Sequence, residues 1–137
     1  GAGLVSTLDD YAKFAAMLLQ EGSYQGKQIL KPQTVHYMTN GSLMSWQQEV
    51  LDQCWEGIRG YTYANLLRIQ KEPGKSPMFT SIGEYGWDGW LGAYFCNSPK
   101  DRLTMLLTMQ LKDAGTTSLT RRLKNAIWSE LCGGRRE

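Results

Sequence analysis

The sequence predicts an α+β chain, with helices at its two ends and strands gathered between them. Three observations carry that reading. Apolar residues recur at helical spacing near each end, at Tyr11, Phe14, Ala15, Leu18 and Leu19 and again at Leu119, Leu123, Ala126, Ile127 and Leu131. Residues 102–110 alternate instead, with Leu103, Met105, Leu107 and Met109 on one side and Thr104, Leu106 and Thr108 on the other. The string Asn97-Ser98-Pro99-Lys100-Asp101 joins that strand to its predecessor as a hairpin, which makes the pair antiparallel.

The elements follow in order. Ser6 or Thr7 caps the first helix, Asp9 and Asp10 complement its positive end, and Gly22 closes it. Residues 26–30 are extended, and Pro32 opens a second helix to about Thr39. His36, the only histidine, lies there; Val35 and Met38 mark the packed side, so His36 reads as a surface residue. Residues 41–54 read as a polar connection, 58–70 as one long strand and 72–77 as a turn. Strands are expected over 78–87, 91–97 and 102–110, the last covered on both faces and so interior. Thr116 or Thr117 caps the closing helix, which Gly133 ends.

A length of 137 residues suits a single domain with a modest core. A net charge of +2, with basic and acidic residues interspersed, gives no footing for a nucleic-acid partner. Arg121, Arg122 and Lys124 read as a solvated helix face, and Arg135 and Arg136 as a tail. No apolar run approaches the roughly 18 residues needed for a membrane span. Cys54, Cys96 and Cys132 stand far apart, outside any zinc spacing, and their odd number supports no disulfide framework. No metal or cofactor is expected.

Catalytic motifs are missing from the chain. No Ser precedes a Lys by three positions, and GxSxG, HExxH, Walker A and GxGxxG patterns do not occur. A single histidine supports no triad. The richest stretch is Tyr85-Gly86-Trp87-Asp88-Gly89-Trp90-Leu91-Gly92-Ala93-Tyr94-Phe95, where aromatics alternate with glycines. Glycine suits places where a backbone must approach something closely, and such a strand can offer an N–H to a substrate oxygen.

Several strings resemble the β-lactamase-related serine hydrolases, the superfamily of class C β-lactamases, D-alanyl-D-alanine carboxypeptidases and related esterases. They are Gly1-Ala2-Gly3-Leu4-Val5-Ser6-Thr7-Leu8-Asp9-Asp10-Tyr11-Ala12-Lys13-Phe14, then Leu30-Lys31-Pro32-Gln33-Thr34-Val35, and Tyr85-Gly86-Trp87-Asp88-Gly89 through Phe95. The resemblance implies an antiparallel sheet flanked by helices, and residues 1–137 as a C-terminal segment without the nucleophile-bearing part. It implies acyl transfer to a serine supplied upstream, from a small-molecule or peptide acyl substrate. The family's Lys/His-Thr-Gly motif falls on Trp87-Asp88-Gly89, which become substrate-binding residues. The backbone N–H of Trp90 becomes an oxyanion donor.

With Trp87 and Asp88 replacing Lys and Thr, neutral esters or amides are expected over carboxylate-bearing β-lactams. Tyr63-Ala64-Asn65 spells the family's Tyr-x-Asn but falls in the wrong order along the chain, and reads as coincidence. Members are often periplasmic, secreted or attached to the cell envelope. In the family the strand at 102–110 has a neighbour from the upstream segment. A chain without it is expected to dimerise or swap through that edge. A contrasting reading is a non-catalytic binding or scaffold module using an aromatic cleft of Tyr85, Trp87, Trp90 and Tyr94. A sugar-binding domain resting on exposed Trp and Tyr is a third.

Overall fold

The computed structural model describes residues 4–113 and 115–131. Helix α1 (Leu8–Leu19) starts where Thr7 Oγ1 accepts the Asp10 N–H at 3.1 Å. It stops at Gly22 (φ 89°), whose N–H donates to Met17 O at 2.9 Å. A short ribbon of β1 (Ser23–Tyr24) and β2 (Lys27–Gln28) leads to α2 (Pro32–Thr39), where Val35 is buried and His36 exposed.

The polar connection at 41–54 contains a further helix, α3 (Ser45–Cys54), opened by Gln47 Oε1 accepting the Met44 N–H at 3.0 Å. None of its residues is buried, although Leu51 packs against the cluster of Ile58, Tyr61 and Met78. The expected long strand at 58–70 is instead a hairpin of β3 (Tyr61–Ala64) and β4 (Leu67–Gln70). Its two-residue turn holds Asn65 (φ 51°) and Leu66 (φ 69°) in the left-handed region, the geometry of a type I′ turn. Leucine is a poor signal for that conformation, which hides the turn from a sequence reading.

Of the strand expected over 78–87, only β5 (Tyr85–Asp88) forms; residues 78–84 are loop. β6 (Tyr94–Ser98) and β7 (Leu103–Leu107) complete an antiparallel sheet in the order β3-β4-β5-β6-β7. β7 therefore stands at an edge of the described sheet; its apolar faces suggested an interior strand, and an open edge was expected of it in a chain without the upstream neighbour.

Helices flank this sheet. Ala15, Met17 and Leu18 of α1 and Val35 of α2 pack against Leu67, Ile69, Tyr85 and Phe95. On the opposite face, Trp128 of α4 (Ser118–Leu131) packs against Tyr94, Cys96 and Met105. Thr117 caps α4 by accepting the Thr120 N–H at 3.2 Å. The buried face of α4 is Thr120, Lys124 and Trp128, whereas Leu119 (60% exposed), Leu123 (37%) and Leu131 (56%) face outward. The helix is thus turned by one position, about 100°, from the face its leucines suggest.

Two polar anchors set that rotation. Trp128 Nε1 donates to Asp101 Oδ2 at 3.2 Å, and Lys124 Nζ donates to the Glu84 carboxylate at 2.5 and 2.7 Å. Lys124 and Glu84 are both fully buried, so Lys124 does not belong to a solvated basic face. Gly133, Arg135, Arg136 and Cys132 lie outside the described residues. No described helix is long and apolar enough to cross a membrane.

Candidate functional site

At the C-terminal end of β5 the chain opens into a cavity of about 730 Å³. Trp87, Asp88, Gly89 and Trp90 all line it, together with Trp55, Glu56 and Arg68 and, from the approach to α4, Asp113 and Thr116. The sheet brings this about through one tight turn. Asp88 pairs with Tyr94, the Gly89 N–H donates to Ala93 O at 2.6 Å, and the Gly92 N–H returns to Gly89 O at 2.9 Å. Gly92 takes φ 87°, as the last residue of a three-residue hairpin loop does. The loop holds Trp90 out at 66% exposed. Its backbone N–H donates to no acceptor among the described residues.

Beneath the loop lies Arg68, 1% exposed and sandwiched between rings, 4.6 Å from the Tyr94 centroid and 5.4 Å from that of Tyr61. It stands opposite Gly86 in the β4–β5 register and reaches Phe95 O with Nη2 at 3.3 Å. A Cβ on Gly86 would meet that same carbonyl at 1.9 Å, so glycine is what lets the strands close here. Arg68 Nη1 donates to Asp88 Oδ1. Asp88 therefore does not present a free charge to the cavity: its carboxylate is 15% exposed and tied to a buried cation. Burial pushes its carboxyl above the ordinary value, against the pull of Arg68.

The walls are aromatic. Trp87 meets Tyr63 edge-on at 5.2 Å between centroids and Trp55 at 6.2 Å. Tyr85 (2% exposed) and Tyr94 (3%), expected in the cleft, belong to the core. Tyr63 reaches the site only through its ring. Asn65 sits in the β3–β4 turn with Nδ2 donating to Tyr37 O at 2.7 Å, so the two do not act on one face. Cys54 is exposed and lines the cavity, while burial pushes the Cys96 thiol up to about 11 and keeps it protonated at neutral pH.

Sequence reasoning missed Arg68, Trp55 and Thr116. Arg68 did leave a trace, a lone charge within Leu66-Leu67-Arg68-Ile69, but its partner lies 20 residues away.

No family model matches the chain. Curated relatives that match it include the uncharacterized protein MT1414 of Mycobacterium tuberculosis (strain CDC 1551 / Oshkosh) and protein Rv1367c of the same species (strain ATCC 25618 / H37Rv). Each is 33% identical over 116 residues, which covers 80% of this chain and 28% of the relative. The chain thus spans less than a third of the length of these relatives.

Proposed function

We propose that the chain forms one wall of the acyl-transfer cleft of a β-lactamase-related serine hydrolase. The observation that carries the reading is the convergence of Trp87, Asp88, Gly89 and Trp90 on a single cavity, with the Trp90 N–H bonded to no acceptor among the described residues. In this reading a serine hydroxyl attacks the substrate carbonyl carbon, and negative charge develops on the carbonyl oxygen. The Trp90 N–H donates to that oxygen, while Gly89 leaves the backbone open for the substrate to lie along it. No serine of this chain has a Lys three residues on, so the nucleophile and its base belong to another part of the whole protein. The 137-residue chain by itself is then inactive.

Trp90→Pro in the full-length protein tests this directly. Trp90 is the second residue of the turn closed by the Gly92 N–H and Gly89 O, a position that accepts proline. The change deletes the N–H while keeping the turn, and kcat should fall about 100-fold. A Trp90→Pro enzyme with unchanged kcat sinks the proposal.

Preferred substrates are neutral esters or amides, because the Trp87-Asp88 pair offers no free cation to a carboxylate. A second copy of the chain would add to the open edge at β7. The ring cluster of Trp55, Tyr63 and Trp87 favours a second reading, a non-catalytic binding module on the same fold. Saturable ligand binding by a full-length protein that shows no ester turnover would select it.

A further inference from the structure

Two buried polar groups beside the cavity have no partner among the described residues. Arg68, 1% exposed, leaves Nε without an acceptor, although its two other nitrogens reach Asp88 and Phe95 O. Thr116 Oγ1 is buried and likewise unbonded. Both residues line the cavity. A buried donor left unpaired costs stability, and native structures retain such groups where something else satisfies them. Two donors beside one cavity match a ligand that brings an acceptor oxygen.

Charge narrows the class. Among the described residues Arg68 is the only basic one lining the cavity, and Asp88 already neutralises it. Among the described residues the other charged side chains lining the cavity, Glu56 and Asp113, are acidic and disfavour an anion, while the Arg121 guanidinium comes within 3.5 Å of where a Cβ on Gly57 would stand. Asp113 in turn has Lys112 Nζ at 4.0 Å, and that ammonium lies 5.7 Å from the Trp90 ring, where it would oppose a cationic ligand stacking on the same face. Shape supplies the rest. Trp55, Trp87 and Trp90 present flat apolar surface around the cavity, and two of them are more than half exposed, ready to cover a ring.

We propose that this cavity selects an uncharged ligand with a planar ring and a carbonyl-type oxygen, the oxygen taken by Arg68 Nε–H and Thr116 Oγ1–H and the ring covered by the tryptophans. This deepens the acyl-transfer reading by naming a substrate class, and rests on it only in taking the cavity as the ligand site.

Benzamide, benzoate and benzylamine share one ring and differ in the group attached, and none can be turned over as an ester. Titrated into the 137-residue chain and followed by tryptophan fluorescence, benzamide should quench saturably. Benzoate and benzylamine should each bind at least about fivefold more weakly, the worth of roughly one hydrogen bond. Thr116→Val keeps the side-chain shape and removes an unsatisfied hydroxyl. It should leave thermal stability equal or higher while weakening benzamide about fivefold, a combination that a purely structural Thr116 would not produce. Trp55→Ala, at a half-exposed position, should also weaken benzamide. Benzoate or benzylamine binding as tightly as benzamide, benzamide affinity unaltered by Thr116→Val, or no saturable quench, each overturns the assignment. Should the full-length protein fail to hydrolyse esters while this binding pattern holds, the hydrolase reading falls and this one stands. Should it hydrolyse esters while benzoate matches benzamide, this one alone falls.

Discussion

Lys124 shows how a single residue can decide more than its neighbours in sequence suggest. It sits in a basic run, yet its ammonium is fully buried against Glu84, with Tyr61 Oη 2.7 Å from Glu84 Oε1 and Thr80 Oγ1 2.9 Å from Oε2. Removing one member of such a pair leaves the other charge buried and unmatched. Lys124→Met should therefore cost about 3–5 kcal/mol in urea unfolding, and adding Glu84→Leu should recover part of that loss. A Lys124→Met chain within about 1 kcal/mol of the parent would contradict the pairing. At this scale Trp87, Asp88, Gly89 and Trp90 were legible from sequence because they are contiguous and glycine-spaced. Arg68 was not, since its partner across the sheet lies 20 residues away, and Thr116 was not, since its place beside the cavity follows from how the approach to α4 packs.

Among the elements, the β6–β7 hairpin is tied to α4 through one carboxylate. Burial alone would raise the Asp101 pKa, but hydrogen bonds from Ser98, Ser81 and Trp128 outweigh it and hold the group below its usual value. A carboxylate depressed in the folded state adds stability that is fully present above its unfolded value, about 3.9, and is lost as pH falls through the folded one. The stability gap between the parent and Asp101→Asn should thus be constant above about pH 5 and narrow at lower pH. A gap independent of pH down to the acid transition would rule out Asp101 as the anchor. Helices α1 and α2 were readable because their caps and proline are local signals. The β3–β4 turn was hidden by Asn65-Leu66, and α3 by its having no buried residue.

For the molecule as a whole, the open edge of β7 and the outward leucines of α4 belong together. Leu119, Leu123 and Leu131 form an apolar stripe on a helix that packs over the β6–β7 end of the sheet. An uncovered strand edge beside such a stripe pairs readily with another chain. Light scattering at tens of micromolar should report a dimer, and a monodisperse monomer would argue against it. The same scale holds the substrate prediction. The full-length protein should turn over a short p-nitrophenyl ester faster than a chromogenic cephalosporin, because the cavity's Arg68 is already held by Asp88, and Glu56 and Asp113 on its wall repel a carboxylate. The reverse preference would refute it.

Sequence by itself determined the α+β class, the capped helices at the two ends, the final hairpin and the glycine-aromatic stretch at the cavity. Each rests on spacing of a few residues, where backbone geometry responds directly to side-chain type. Only the tertiary structure decided which face of α4 is buried and that Asp88 is matched by Arg68. Those outcomes depend on charges and carbonyls meeting across 20 to 40 residues, and no local pattern encodes such a meeting.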